Sequence, residues 1–348
     1  MSSFHSILTR WAFRLVVPLA VLAGGLASCS TIWDNDDCPA TYRVRFAYDY
    51  NMAFADAFSA QVHSVTLYAF GADGKLAFTR SESGDALTTE GYSMELPVPP
   101  GQYDLVAWAG VADGDGFALP QLTVGVSTLD DLKCRINRHS HENCMRQPVD
   151  SVGWLQPVWN GHVEAQPLTR GSSFPDTEYI TVPLVKDTHT FRVILQQMAE
   201  GEMEASRFEV SVADRNGLMA ADNSLLPGDG VLTSMAYYQT DGSAGTSGAD
   251  GERLNVAVYE LTTGRLMADS RARLTVTDRR DGRAVLSIPL VQYLELCRTV
   301  ANYRMPLQEY LDREDTYSMT FFLDANQAWI NTQVIINDWI VRYNDINP

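Results

Sequence analysis

Apolar and polar residues alternate with a period of two along most of this chain, in short runs separated by turn residues. Tyr42–Tyr50, rich in aromatic and β-branched residues, predicts a first strand. Val62–Phe70 and Lys75–Arg80 flank Gly71-Ala72-Asp73-Gly74, which predicts a hairpin. Ser93–Val98 alternates in the same way. Pro99-Pro100-Gly101-Gln102-Tyr103 then reads as a turn feeding a strand over Asp104–Gly110, with the tyrosine packed against an opposing sheet. Trp154–Gly161 and Thr181–Val185 have strand character and close the first half. A second series opens near Thr188, with strands predicted over Thr190–Gln196, Phe208–Val212, Asn255–Leu261, Arg271–Thr277 and Ala284–Leu290. Thr332–Tyr343 carries large apolar residues on both parities, as expected of a strand buried on one face and partly covered on the other. Only Asn344–Pro348 follow, too short for a separate donor strand, so this run is expected to complete the chain's own second sandwich.

Few segments break the pattern. Ser127–Ile136 predicts a short helix with Ser127 or Thr128 as its N-cap, followed by a polar loop. Tyr293–Arg313 is partly helical in pattern. Thr240–Glu252 spreads Gly242, Gly245, Gly248 and Gly251 among polar residues and predicts a mobile loop. Two successive blocks of short, turn-punctuated strands predict an all-β chain of two tandem β-sandwich domains, over residues 41–186 and 187–348.

The first 40 residues are of another kind. Arg10 and Arg14 precede an apolar run, Leu15–Leu26, too short for a comfortable membrane span, and small residues lead from it into Cys29. Leu26-Ala27-Ser28-Cys29 resembles the lipobox of bacterial lipoproteins. That resemblance implies a signal peptide over 1–28, cleavage before Cys29, and acylation of Cys29. More than one buried acyl chain, at roughly 0.8 kcal/mol per CH₂, makes such an anchor stable. Residues 29–40 then form an acidic tether, with Asp34, Asp36 and Asp37 close behind the lipid. They are equally a plain solvated spacer and a match to the acidic signal that directs Bacteroidetes-type lipoproteins outward.

Charge narrows the partners. The chain carries a formal −17, and losing Arg10 and Arg14 with the leader takes it to about −19. Nucleic acid is excluded by repulsion, and anionic lipid cannot be held by charge, so membrane attachment falls to the lipid on Cys29. Four cysteines remain after lipidation: Cys38, Cys134, Cys144 and Cys297. Export permits disulfides, and four cysteines allow three full pairings that sequence cannot rank rigorously. Cys134 and Cys144 close a short polar segment and are the favoured bridge. Cys297, within the apolar run Val291–Cys297, reads as a buried thiol, and Cys38 is left undecided.

Catalytic signatures are missing: there is no G-x-S-x-G, H-E-x-x-H, Walker loop or dinucleotide fingerprint. His139, His141, Glu142 and Cys144 lie close together but read as a solvated loop, and Asp113-Gly114-Asp115-Gly116 as an acidic turn lacking the later ligands of a calcium loop. Asp312, Glu314 and Asp315 around Arg313 read as a local salt-bridge cluster, because close sequence neighbours rarely face one cleft as acid and base. No enzyme activity, cofactor or metal is expected.

Several blocks together resemble the FimB-type anchor subunits of Bacteroidetes fimbriae, the lipoproteins of type V pili. Near the start these are Asp37-Cys38-Pro39, Val44–Met52, Ala55–Phe58, Val65–Phe70, Leu96, Pro100–Tyr103 and Val106–Gly110. Near the end they are Ile288–Leu290, Gln308–Arg313, Thr320–Asp324 and Ile335–Trp339. The resemblance implies two transthyretin-like β-sandwiches, no enzyme activity, and a place at the base of a fimbrium, fixed to the cell outer membrane and influencing fimbrial length. It also implies pilin partners held by strand complementation. Pilins of this system lose their lipidated end to an arginine-directed protease. Arg43 and Arg45 fall inside the first predicted strand, where folded backbone resists cutting, so Cys29 is expected to be retained. The Arg135–Pro148 loop has no counterpart role in the family. Two alternatives stay open from the residues: a surface glycan-binding lipoprotein using its tyrosines and tryptophans, and an adhesive tip subunit of the same pilus class that recognises ligands through long loops such as Thr240–Glu252.

Overall fold

The structure, a computed structural model, describes residues 41–138, 150–169, 177–198, 203–245 and 253–342. The period-two runs become strands because alternate side chains then share one buried face. In the first half these are β1 (Thr41–Ala47), β2 (Ser64–Gly71), β3 (Leu76–Ser83), β4 (Met94–Leu96), β5 (Gly101–Ala109), β6 (Phe117–Ala118), β7 (Lys133–Ile136), β8 (Ser151–Val152), β9 (Trp159–Leu168), β10 (Thr177–Pro183) and β11 (Val185–Lys186). The second half adds β12 (Thr188–Gln197), β13 (Phe208–Asp214), β14 (Leu218–Ala220), β15 (Leu232–Met235), β16 (Tyr238–Gly245), β17 (Arg253–Gly264), β18 (Arg273–Asp278), β19 (Ala284–Pro289), β20 (Thr316–Leu323), β21 (Trp329–Ile336) and β22 (Trp339–Arg342). Among the described residues three α-helices accompany them: α1 (Phe58–Gln61), α2 (Leu290–Val300) and α3 (Leu307–Arg313).

The architecture is an all-β sandwich fold. A three-stranded sheet, β10-β1-β4, faces a five-stranded sheet, β11-β9-β5-β2-β3, over a core that includes Tyr42, Val44, Phe46, Leu67 and Leu105. A six-stranded sheet, β16-β17-β12-β20-β21-β22, faces a five-stranded one, β19-β18-β13-β15-β8, around Phe191, Val193, Val210, Tyr259 and Phe321. Helices α2 and α3 close that second core with Leu294, Cys297, Tyr310 and Leu311. The expected Tyr103 packing is present: the ring is buried in the first core and its hydroxyl donates to Pro99 O at 3.0 Å.

The two halves are not independent beads. β14 pairs with β7, Met219 opposite Cys134, and β8 adds in parallel to β15. A third core forms between the halves, where Phe70 and Trp108 from the first meet Met219 and Leu232 from the second. The outer face of β2 and β5 is therefore buried, and the halves share an apolar boundary of the kind that holds domains rigidly together.

Three expectations are corrected. Ser127–Ile136 gives one 3-10 turn, Leu129–Asp131, and then strand β7. Thr128 does cap it, its N–H and hydroxyl both donating to Asp131 at 2.8 and 3.0 Å. Beyond Asp131, burial of Cys134 and Ile136 on one face outweighs helix propensity. The glycine-rich stretch from Thr240 is ordered as far as Gly245, because every residue of β16 finds a ladder partner on β17, from Tyr238 opposite Glu260 to Gly245 opposite Arg253. Residues 246–252 lie outside the described residues. The run expected as one strand over Thr332–Tyr343 is, as far as Arg342, the hairpin β21–β22, turned at Asn337 and Asp338, both with positive φ (46° and 68°). Two consecutive left-handed residues match the right-handed twist of a tight hairpin, and Asn-Asp tolerates that conformation. Val334, Ile336 and Val341 are buried as a result, while Trp339 and Ile340 stand 42% and 49% exposed on the edge strand.

Candidate anchoring site and interdomain joint

Cys29 lies outside the described residues, as do His139, His141, Glu142 and Cys144. The first described element after the stretch expected as a tether is β1. β1 is the central strand of its sheet, antiparallel to β4 and parallel to β10, which leads through β11 into the second half. Since β10 ends at the joint, β1 also ends there, where Leu184 N–H donates to Ala47 O at 2.8 Å. Thr41 consequently sits at the opposite pole of the first sandwich. Both arginines of β1 are engaged: Arg43 donates to Ser93 O and Oγ at 2.6 and 2.8 Å, and Arg45 lies 4.0 Å over the Tyr179 ring.

The joint buries several ionisable side chains, among them Asp187, His189, Arg265 and Asp312. Arg313, on the last turn of α3, donates to Glu309 at 2.8 Å, one helical turn back. It also donates to Asn51 O and Asp49 O at 3.3 and 3.4 Å. Its guanidinium plane covers the rings of Tyr50 and Phe54 at 4.0 and 4.5 Å, so the loop after β1 is fastened to the second half. Arg265 donates to both oxygens of Asp312, at 3.0 and 3.1 Å, and to Asn223 O. Asp187, wholly buried at the crossing between halves, accepts from Asn223 at 2.8 Å and lies 3.9 Å from Arg265. Burial pushes its carboxyl up to about 7, against the opposing pull of Arg265. Glu314 is likewise raised by burial to about 7. Asp315 pairs with Lys186 across the same seam. Burial lowers the His189 pKa, and its ring bonds to Leu311 O at 2.8 Å.

The local salt-bridge cluster expected at 312–315 is thus corrected. Asp312 and Arg313 point about 100° apart on the last turn of α3, and Asp315 lies past the extended residue that ends the helix, so each finds its partner outside this stretch. Asp113–Asp115 are exposed at the end of a 3-10 segment, while Gly116 is buried and its N–H donates to Gln156 at 3.1 Å. Among the described residues no group of three His, Cys, Asp or Glu could hold a metal ion. No helix among them is long and apolar enough to cross a membrane.

Cys134 is fully buried on β7 in the core between the halves, and burial raises its thiol pKa well above the ordinary value. A bridge to Cys144 would bring that sulfur to about 2 Å from an atom inside this core. Cys297 is the buried thiol its apolar run predicts, its Sγ 3.5 Å from Ile336 O. The one local mark of the joint in the sequence is the Glu309–Arg313 spacing on a helix, which does not reveal Tyr50.

For partners, the six-stranded sheet ends on two edges, β16 and β22. Exposed apolar residues mark both, Tyr238 on the first and Trp339 and Ile340 on the second.

Residues 35–345 match the family described as fimbrillin-A associated anchor proteins Mfa1 and Mfa2. The minor fimbrium anchoring subunit Mfa2 of Porphyromonas gingivalis is 25% identical over 341 residues, covering 92% of this chain and 95% of that protein. A crystal structure of an adhesin candidate from Bacteroides thetaiotaomicron is 33% identical, with a TM-score of 0.76 over 88% of this chain and 98% of that one. The structure of the fimbrial anchor protein Mfa2 from Porphyromonas gingivalis shares the fold at 16% identity, with a TM-score of 0.63 over 88% and 99% of the two chains.

Proposed function

This chain belongs to the family of fimbrillin-A associated anchor proteins Mfa1 and Mfa2, and on that premise we propose that it is the lipid-held base of a fimbrium at the outer membrane, without enzymatic activity. The observation that carries this reading is the polarity of β1. Its tether end lies at the pole of the first sandwich farthest from the second, so a lipid on Cys29 turns the second sandwich outward. The edges β16 and β22 both belong to that outer half, where a pilin subunit can add a strand by main-chain hydrogen bonds. Arg43 and Arg45 are held in a strand paired on both sides, which shields the neighbouring peptide bonds from an arginine-directed protease and keeps the lipidated end attached.

The test is complementation of a strain deleted for this chain. Wild-type protein restores cell-bound fimbriae, whereas Cys29→Ser leaves fimbriae shed into the medium and the protein unlabelled by a metabolic lipid. Membrane attachment and fimbrial retention unchanged in Cys29→Ser would refute the anchor reading. Loss of Cys29 from the mature wild-type protein would point to a tip subunit.

A further inference from the structure

A tether that enters at Thr41 pulls along β1, and the pairing of that strand decides what the pull must break. β1 and β10 form a parallel ladder of seven register pairs, from Thr41 opposite Thr177 to Ala47 opposite Pro183. The tether joins β1 at its first residue, whereas β10 continues into the second half from its last. Tension between membrane and fimbrium is therefore applied to opposite ends of two parallel strands. Under that geometry no end pair can peel before the others, and all seven are loaded together. Had the neighbour been held from its Thr177 end, the same ladder would open one pair at a time.

The rest of the strand reinforces this arrangement. In a parallel ladder both main-chain groups of one residue face the same neighbour, and alternate residues face alternate neighbours. Ala47 O bonds to Leu184 beyond β10, so Arg43, Arg45 and Ala47 face β10 and Tyr42 and Val44 face β4. Sliding β1 toward the membrane also drags buried Tyr42, Val44 and Phe46 past the core. On the outer face it must break the Arg43 bonds to Ser93 and lift Arg45 off Tyr179. At the joint, Tyr48 N–H is held by Asp56 at 2.9 Å. The second half repeats the device: β12 enters from the joint beside a parallel partner, β20, over Thr190–Gln197.

We infer that the β1–β10 ladder is a mechanical shear clamp, by which the protein withstands the pull of a fimbrium on its lipid. The inference rests on the anchor reading for the direction of load. Forced unfolding is governed by the unfolding barrier and not by equilibrium stability, so direction of pull is decisive.

Single-molecule pulling on the leaderless chain, residues 29–348, tests it by moving one handle. With handles at the N-terminus and in the β18–β19 turn at Asp281, the ladder is sheared. With handles at the N-terminus and at Thr177, the same seven pairs are peeled. Shear is expected to need about twofold or more the force of peeling. Arg45→Pro, which removes an N–H facing β10, should shorten lifetimes under constant shear roughly fivefold relative to Arg45→Ala. If Arg45→Pro does not fold, the comparison of handle positions in the unaltered chain stands alone. Equal forces in the two geometries, or a shear force below the peeling force, would overturn the clamp. The cell assay of Cys29→Ser is independent, so a chain that resists shear yet holds fimbriae without its lipid would refute the anchor and leave the mechanics intact.

Discussion

The guanidinium of Arg313 lies 4.0 Å over the ring of Tyr50, tying the last turn of a helix in the second half to the loop that follows the first strand. Glu309 holds the same guanidinium in place at 2.8 Å, and Asn51 and Asp49 offer their carbonyls beside the ring. A planar cation suits this position because it stacks and donates at once.

Replacing Arg313 with alanine is expected to cost about 1–2 kcal/mol and to free the 49–55 loop from the second half. Arg313→Lys should recover little of that, since an ammonium cannot cover two rings and donate in a fork. Thermal melts report the stability, and limited proteolysis within Asp49–Ala55 reports the loop. Wild-type proteolysis in Arg313→Ala would show that the joint is held elsewhere.

Asp187 and Glu314 set a pH dependence. Both carboxyls are raised to about 7 by burial. Each therefore binds its proton more tightly in the folded chain than in the unfolded one. Their stabilising effect is complete below the unfolded carboxylate range, near 4, and is lost as pH rises through about 7. The joint should be firmer at about pH 5 than at about pH 8. Asp187→Asn should flatten that slope, which denaturant midpoints at several pH values would measure. An unchanged slope in the variant would remove Asp187 from the account.

Cys297 should resist alkylation in the native protein and react once it is unfolded, because it is buried and its thiol pKa is raised. Peptide mapping without reductant then decides the bridge proposed for Cys134 and Cys144. A linked peptide establishes it, and a native-state-protected free thiol at Cys134 leaves that residue as part of the apolar core between the halves. Rapid native alkylation of Cys297 would contradict the packing of α2 against β21.

Deleting Ile335–Pro348 should abolish the cooperative transition of the second sandwich. The truncation removes buried Ile336 and Val341, at about 1.5–3 kcal/mol each, and exposes the flank of β20. A truncated chain that keeps its melting transition but fails to bind pilin would make this hairpin a donor strand.

What the amino-acid sequence determines by itself is what local pattern can encode. Alternation in Tyr42–Tyr50, Val62–Phe70 and Thr190–Gln196 is a property of neighbours, and it specified strands β1, β2 and β12 within a few residues of their ends. The Gly71–Gly74 turn was legible for the same reason, with Gly74 at φ +74° where a side chain would be strained. The spread of family blocks, also local, identified the kind of protein. Tertiary structure alone decided the remainder. Nothing near Arg313 indicates Tyr50, nothing near Ser151–Val152 indicates β15, and the apolar residues of Thr332–Tyr343 fit one strand as well as a hairpin. Those choices depend on which distant surface covers a segment: burial beside Val334 and Ile336 fixes the inward face of β22, and burial between the halves turns Lys133–Ile136 into strand. The parallel placement of β1 beside β10 is of this second kind, because strand direction within a sheet is set by where the chain has already been packed, and period-two patterns read the same in either direction.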